Sequence, residues 1–109
     1  MLAMPTFTTL TQKQRDENDF FFALSEHSRR AILRALTTGR KTVGELTASA
    51  GLPRGSLSKH VAILKRVGLI ATEREGARVH CSLANTTVKK DSLTLTHPSG
   101  LKVTLPLEG

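Results

Sequence analysis

With 109 residues, 39% of them hydrophobic, the chain can build one domain with a modest core and is too apolar to be disordered throughout. A formal net charge of +7 and a pI near 10.4 favour a polyanionic partner. The single cysteine, Cys81, rules out an intrachain disulfide and with it an exported disulfide scaffold.

The charge is uneven. Residues 53–85 carry Arg54, Lys59, Lys65, Arg66, Arg74 and Arg78 against only Glu73 and Glu75, whereas the first 52 residues nearly balance. No apolar run approaches a membrane span, and Phe20-Phe21-Phe22-Ala23-Leu24 is too short for a signal core. A cytoplasmic protein with no membrane partner is expected.

Residues 1–10 are expected to form a flexible N-terminus. A helix follows from about Thr11 to Leu24, with hydroxyls from Thr8 to Thr11 available as caps. At about 100° per residue, Phe20, Phe21 and Phe22 spread apolar surface over more than half the helix circumference. One face can serve the domain's own core. The rest is covered either by a sister subunit or by the same small domain.

Ser25 or Ser28 can cap a second helix, roughly Ser28 to Thr38. Ala31, Ile32, Leu33, Ala35 and Leu36 point inward and Gly39 ends it. Arg29, Arg30 and Arg34 fall on the other faces, as solvated charge or as phosphate contacts. Thr42 begins a short third helix with Val43, Leu46 and Ala50 inside, and Ala50-Gly51-Leu52-Pro53 forms the turn that follows.

The next helix organises the chain. Pro53 sits where the first helical N–H groups have no intrahelical partner to lose. Leu57, Val61, Leu64 and Val67 form an apolar stripe, and Gly68 stops the helix. Arg54, Ser56, Ser58 and Lys59 crowd its first turns, mostly away from that stripe. Short hydroxyl and basic side chains suit a helix tip that enters a DNA major groove. Two helices joined by a tight glycine-containing turn make a helix-turn-helix.

Leu69 to Glu75 and Ala77 to Leu83 read as two strands. A Glu75-Gly76 loop sets Arg74 against Ala77, Thr72 against Val79 and Ile70 against Cys81. Ile70, Val79, Cys81 and Leu83 then share one face, and Glu73 meets Arg78 on the other. Arg74 and Arg78 flank a protruding wing.

Residues from about Leu24 to Leu83 resemble the ArsR-type winged-helix repressors of prokaryotes. The resemblance rests on Leu24-Ser25-Glu26-His27-Ser28-Arg29-Arg30-Ala31-Ile32-Leu33, Thr42-Val43-Gly44-Glu45-Leu46, Ser56-Leu57-Ser58-Lys59-His60-Val61-Ala62-Ile63-Leu64 and Arg74-Glu75-Gly76. It implies an α+β winged helix-turn-helix fold over residues 11–85 and a homodimer that binds double-stranded operator DNA. It further implies DNA contacts at Arg54, Gly55, Ser56, Ser58, Lys59, Arg74 and Arg78. His60 matches a family histidine near the phosphate backbone, or is a packed structural histidine. Two departures stand out. Metal-sensing members carry a cysteine pair near Thr42 and Gly44, which this chain lacks, and no convincing helix follows the wing.

Instead, Asp91 to Leu107 alternates. A Pro98-Ser99-Gly100 loop sets Leu95 against Val103 and Leu93 against Leu105, with Pro first in the turn and Gly at its left-handed position. Residues 86–109 are thus expected to form a β-hairpin extension with one apolar face that must pack on something. Phe20, Phe21, Phe22, Leu93, Leu95, Val103 and Leu105 form the expected dimerisation set, unless the hairpin folds back on its own domain.

His27, His60, His80, His97 and Cys81 are scattered, without HxxxH or CxxC spacing, so no metal and no cofactor is expected. The strand register turns Cys81 inward, against a role as redox sensor. No Gly-rich phosphate loop follows a strand and no nucleophile has an evident base, so an enzyme is not expected. A dimeric DNA-binding repressor is the leading reading. The alternatives are a winged-helix protein-interaction module whose hairpin recruits a partner, and an RNA-binding winged helix. With no Trp or Tyr and no Phe after residue 22, stacking on single strands is poorly supplied.

Overall fold

Thr11 opens the first helix with a capping box: its hydroxyl accepts the Gln14 N–H, and the Gln14 side chain accepts the Thr11 N–H. In the computed structural model, which describes residues 9–107, this helix is α1 (Gln12–Leu24). It is followed by α2 (His27–Ala35), a 3-10 turn (Leu36–Thr38), β1 (Lys41–Thr42), α3 (Val43–Ala50) and α4 (Arg54–Arg66). Strands β2 (Ile70–Glu75), β3 (Arg78–Leu83), β4 (Thr86–Val88), β5 (Ser92–Thr96) and β6 (Lys102–Pro106) complete the chain. The first eight residues of the expected flexible N-terminus lie outside the described residues. No helix among the described residues is long and apolar enough to cross a membrane.

The cap of α2 is neither Ser25 nor Ser28. Glu26 takes that position, its carboxylate accepting the Ser28 N–H, because a longer acidic side chain can reach the same orphan donor. α1 ends without a basic residue in its last turn. Its orphan carbonyls are met from α2 instead: Arg29 donates to Ala23 O (2.7 Å) and Phe22 O (2.8 Å), and Arg30 to Leu24 O (2.7 Å). Arg29 is therefore a buried structural cation, 4% exposed, and neither solvated charge nor a phosphate contact.

Two three-stranded antiparallel sheets form, ordered β1-β3-β2 and β4-β5-β6. The wing register differs from the expected one by two residues: Ile70 pairs with Leu83, Thr72 with Cys81, Arg74 with Val79 and Glu75 with Arg78. The loop is Gly76-Ala77, with Gly76 at φ +61°, which suits the first central position of a type II′ turn. Glu73 consequently faces His80 and not Arg78. A slip of two preserves sidedness, so Ile70 and Cys81 are still buried.

The C-terminal hairpin has the expected pairs, Leu95 with Val103 and Leu93 with Leu105, and Gly100 sits at φ +96°. A third strand, β4, joins it through Thr86–Leu95 and Val88–Leu93. The apolar face turns back onto its own chain: Leu93 and Leu95 are fully buried, in one cluster with Phe20, Ile32, Leu57 and Leu64. Ser99 Oγ donates to Glu17 (2.6 Å), the His97 ring meets Phe20 edge-on at 5.2 Å, and Arg34 donates to Pro106 O (3.2 Å). Phe20, Leu93, Leu95 and Leu105 are therefore core residues of the protomer, not surface for a second subunit. Val103 is half-buried, and only Phe21 and Phe22 of the expected dimerisation set remain exposed.

Candidate nucleic-acid interface

Thr42 starts α3 with a second capping box, exchanging hydrogen bonds with Glu45. The Thr42 N–H holds the Glu45 carboxyl below the usual carboxylate range, helped by the Thr42 hydroxyl and by nearby Lys41 and His80. Gly51 ends α3 in the left-handed conformation (φ +68°), and the chain re-enters a helix two residues later at Pro53. Pro53 is the N-cap of α4, at the helix start where its missing N–H costs no intrahelical bond. It has no side chain to cap with, and the first turn carries no acid. The leading N–H groups of α4 therefore stay free to meet an anion.

Leu57, Val61 and Leu64 bury one side of α4, which leaves Arg54, Gly55, Ser56, Ser58 and Lys59 exposed. At the far end, Gly68 N–H bonds to Lys65 O and Leu69 N–H to Leu64 O, the Schellman pattern. Gly68 has φ +80°, and a Cβ there would lie 3.3 Å from Asn85 Nδ2, which donates to its carbonyl. The segment that leaves β3 is thus tied to the end of α4 at the base of the wing.

A groove of 820 Å³ runs between the tip of α4, the N-terminus of α3 and the wing. Arg54 and Ser58 line it from α4, Thr42 from the N-cap of α3 and Glu45 from α3 itself, and Arg78 and His80 from β3. Ser58 Oγ donates to Arg54 O at 3.3 Å, a local bond that an outside acceptor can displace. Among the described residues none of Arg54, Lys59, Arg74 and Arg78 is tied up in an ion pair. A Cβ on Gly55 would meet nothing within 4 Å, so packing inside the chain does not demand glycine there. Arg74 and Arg78 sit on opposite faces of the wing, Arg78 beside the groove and Arg74 away from it.

His60 does not join this set. Its ring is turned inward, with Nδ1 3.2 Å from Arg29 Nη1 and Nε2 3.9 Å from the Glu26 carboxylate. Partial desolvation works against ionisation of Glu26, but the Ser28 amide and hydroxyl, with His60 and Arg29, hold its carboxyl below the usual range. His80, Thr42 and Glu45 belong to the groove although none of them is among the DNA contacts expected from the sequence. For His80 a signal existed, since residues i and i+2 of a strand share a face and Arg78 was already assigned. Cys81 is fully buried, and burial pushes its thiol pKa up.

Guanidinium groups without an ion-pair partner among the described residues, together with hydroxyls, stand at one helix tip and one wing, the donor types that meet phosphates and base edges in general. Residues 24–73 match the family model described as a helix-turn-helix domain. The transcriptional repressor SdpR of Bacillus subtilis is 38% identical over 76 residues, 70% of this chain and 83% of the repressor. The solved structure of an ArsR family transcriptional regulator superposes with a TM-score of 0.62 at 32% identity, over 70% of this chain and 78% of that one. A homodimeric winged helix-turn-helix DNA-binding domain from Mycobacterium bovis, 24% identical, has the same fold at a TM-score of 0.62 over 72% of this chain and 76% of that one. The chain belongs to the ArsR family of winged helix-turn-helix transcriptional regulators, a family of DNA-binding proteins and not of enzymes.

Proposed function

We propose that this regulator is a cytoplasmic homodimeric repressor that places one α4 in the major groove of each half of a roughly palindromic operator. The observation that carries this reading is the shared groove: Arg54 and Ser58 from α4 and Arg78 from the wing line a single concave surface. In this reading Arg54, Gly55, Ser56 and Ser58 meet bases or the nearest phosphates, Lys59 and Arg74 neutralise the backbone, and Arg78 tracks the flanking groove. Residues 11–85 carry the DNA-reading unit, and the hairpin within residues 86–107 braces α1 through His97 and Ser99. Repression is supported by the name of the Bacillus subtilis relative and dimerisation by the Mycobacterium bovis neighbour. No thiolate metal site takes part in this reading, since no cysteine stands near Thr42 and Gly44, where the metal-sensing members' pair would fall, and the Thr42 hydroxyl is already spent on the α3 cap.

The test is to select duplexes from a random-sequence library, footprint the winning site, and place it in a reporter promoter. Two protected half-sites one helical turn apart, bound by two chains and lowering reporter output, are the expected result. Selection of no duplex, with capture of single-stranded RNA instead, would overturn it.

A further inference from the structure

We propose that His60 is a positioning residue for DNA reading, one that fixes the rotation of α4 through the buried guanidinium of Arg29 rather than through a DNA contact. This inference rests on α4 being the DNA-reading helix. Three helices meet at one cation. Arg29, on α2, donates from Nε to Ala23 O and from Nη2 to Phe22 O at the end of α1, and its Nη1 lies 3.2 Å from His60 Nδ1 on α4. A guanidinium has only donors, so in this bond Nδ1 is the acceptor and the ring proton sits on Nε2, on the Glu26 side. The same guanidinium carbon stands 4.8 Å over the ring of Phe22.

The position of His60 along α4 explains why such a bond matters. Taking about 100° per residue, His60 flanks the buried stripe of Leu57, Val61 and Leu64, while Ser58 and Lys59 point away from it. An aliphatic stripe resists pulling away but gives little resistance to small rotations about the helix axis. A directional bond from a cation anchored on two backbone carbonyls does resist rotation. Without the acceptor, a donor on a side chain that is 4% exposed is left unpaired, and either α4 turns or Arg29 shifts. Arg54, Ser56 and Ser58 lie within two turns of this joint, so a rotation there displaces them together.

Two amides separate this role from a DNA contact. Asparagine places its carbonyl oxygen near the position of Nδ1, and glutamine places its own near Nε2. If His60 acts through Arg29, His60→Ala and His60→Gln lower affinity for the selected duplex about tenfold, the scale of one lost bond to a charged group, and His60→Asn restores it to within about twofold of wild type. If His60 touches phosphate through its outer nitrogen, the order reverses, with His60→Gln binding and His60→Asn weak. A second readout needs no DNA: the Arg29 Nη1–H signal in ¹H–¹⁵N spectra should be slowly exchanging in wild type and His60→Asn and lost in His60→Ala, while the Nε–H and Nη2–H signals, held by Ala23 O and Phe22 O, persist in all three. Equal binding by wild type and His60→Ala, or an unchanged Arg29 Nη1–H signal in His60→Ala, would overturn the inference and leave the DNA reading standing. A wild-type protein that binds no duplex, with the Arg29 signals present, would overturn the DNA reading and with it this role.

Discussion

Arg54 and Lys59 are both exposed on α4, but they stand in different places. Arg54 lines the groove at the helix tip, where a fork of donors can pair with the edge of a base, and Lys59 lies outside it. Base-reading contacts contribute discrimination of about 1–3 kcal/mol, whereas phosphate contacts weaken every sequence alike. Arg54→Ala is expected to lower affinity for the selected site far more than for random DNA. Lys59→Ala should weaken both equally and reduce the salt slope by about one. Titrations at several salt concentrations check this, and parallel behaviour of the two variants would overturn the division. Glu45 offers a test of the α3 cap. Its carboxyl is held below the usual range by the Thr42 N–H, so the stabilisation is present above the ordinary glutamate range and is lost as pH falls through the lowered native value. Glu45→Gln keeps a capping partner without the charge. The gap between the wild-type and Glu45→Gln melting temperatures should be widest near neutral pH and should close in acid.

At the scale of elements, the two hairpins show what pattern can and cannot determine. Pro98-Ser99-Gly100 admits one turn that keeps the apolar residues together, and the pairs Leu95–Val103 and Leu93–Leu105 follow from it. Gly76 can be the second or the first residue of a two-residue loop, and both choices bury Ile70 and Cys81, so alternation could not separate them. The type II′ preference for glycine in first place decides it. The two-residue β1 and three-residue β4 are too short to show a period and exist only through the partners they meet. Arg29 was hidden for another reason. A cation on an amphipathic helix is ordinarily solvated, and its burial follows from the carbonyls that α1 leaves open, which is a tertiary demand. The exposed tip of α4 was readable because its stripe is regular, and the groove beside it was not, because it needs three elements to come together. The folded-back hairpin carries a firm consequence. Leu95→Ala, in a fully buried site, should destabilise the protomer by about 2–5 kcal/mol, with Lys102→Ala on the outer face within about 0.5 kcal/mol of wild type. Urea melts would measure both, and a neutral Leu95→Ala would show that the sheet is not part of the core.

On the scale of the whole molecule, the triple phenylalanine divides its work between two surfaces. Phe20 is fully buried, its ring met by that of His97 at the turn of the C-terminal hairpin. Phe21 and Phe22 are 49% and 54% exposed and adjacent on the outer side, so the sheet has not removed the need for a second cover. Across a two-fold axis this makes four rings with about half their surface left to bury, roughly 3–6 kcal/mol at about 1.5–3 kcal/mol per fully buried ring. That is a sizeable share of the about 8 kcal/mol that a micromolar dimer requires. Phe22 also carries the Arg29 guanidinium on its ring, so changing it would disturb the joint between α1 and α4. Among the described residues Phe21 meets one aromatic ring, that of Phe20, and is the cleaner site to change. Phe21→Glu places a charge on the proposed interface and, by symmetry, a like charge near it. Sedimentation at low micromolar concentration should show wild type as a dimer and Phe21→Glu as a folded monomer that melts within a few degrees of wild type at matched, dilute concentration. Operator binding should fall with it, because one helix tip then holds one half-site without the avidity of two. Thr87→Glu, on the exposed edge strand of the second sheet, serves as the charge control and should stay dimeric. If Thr87→Glu dissociates and Phe21→Glu does not, the subunits meet through the C-terminal sheet and α1 is not the interface.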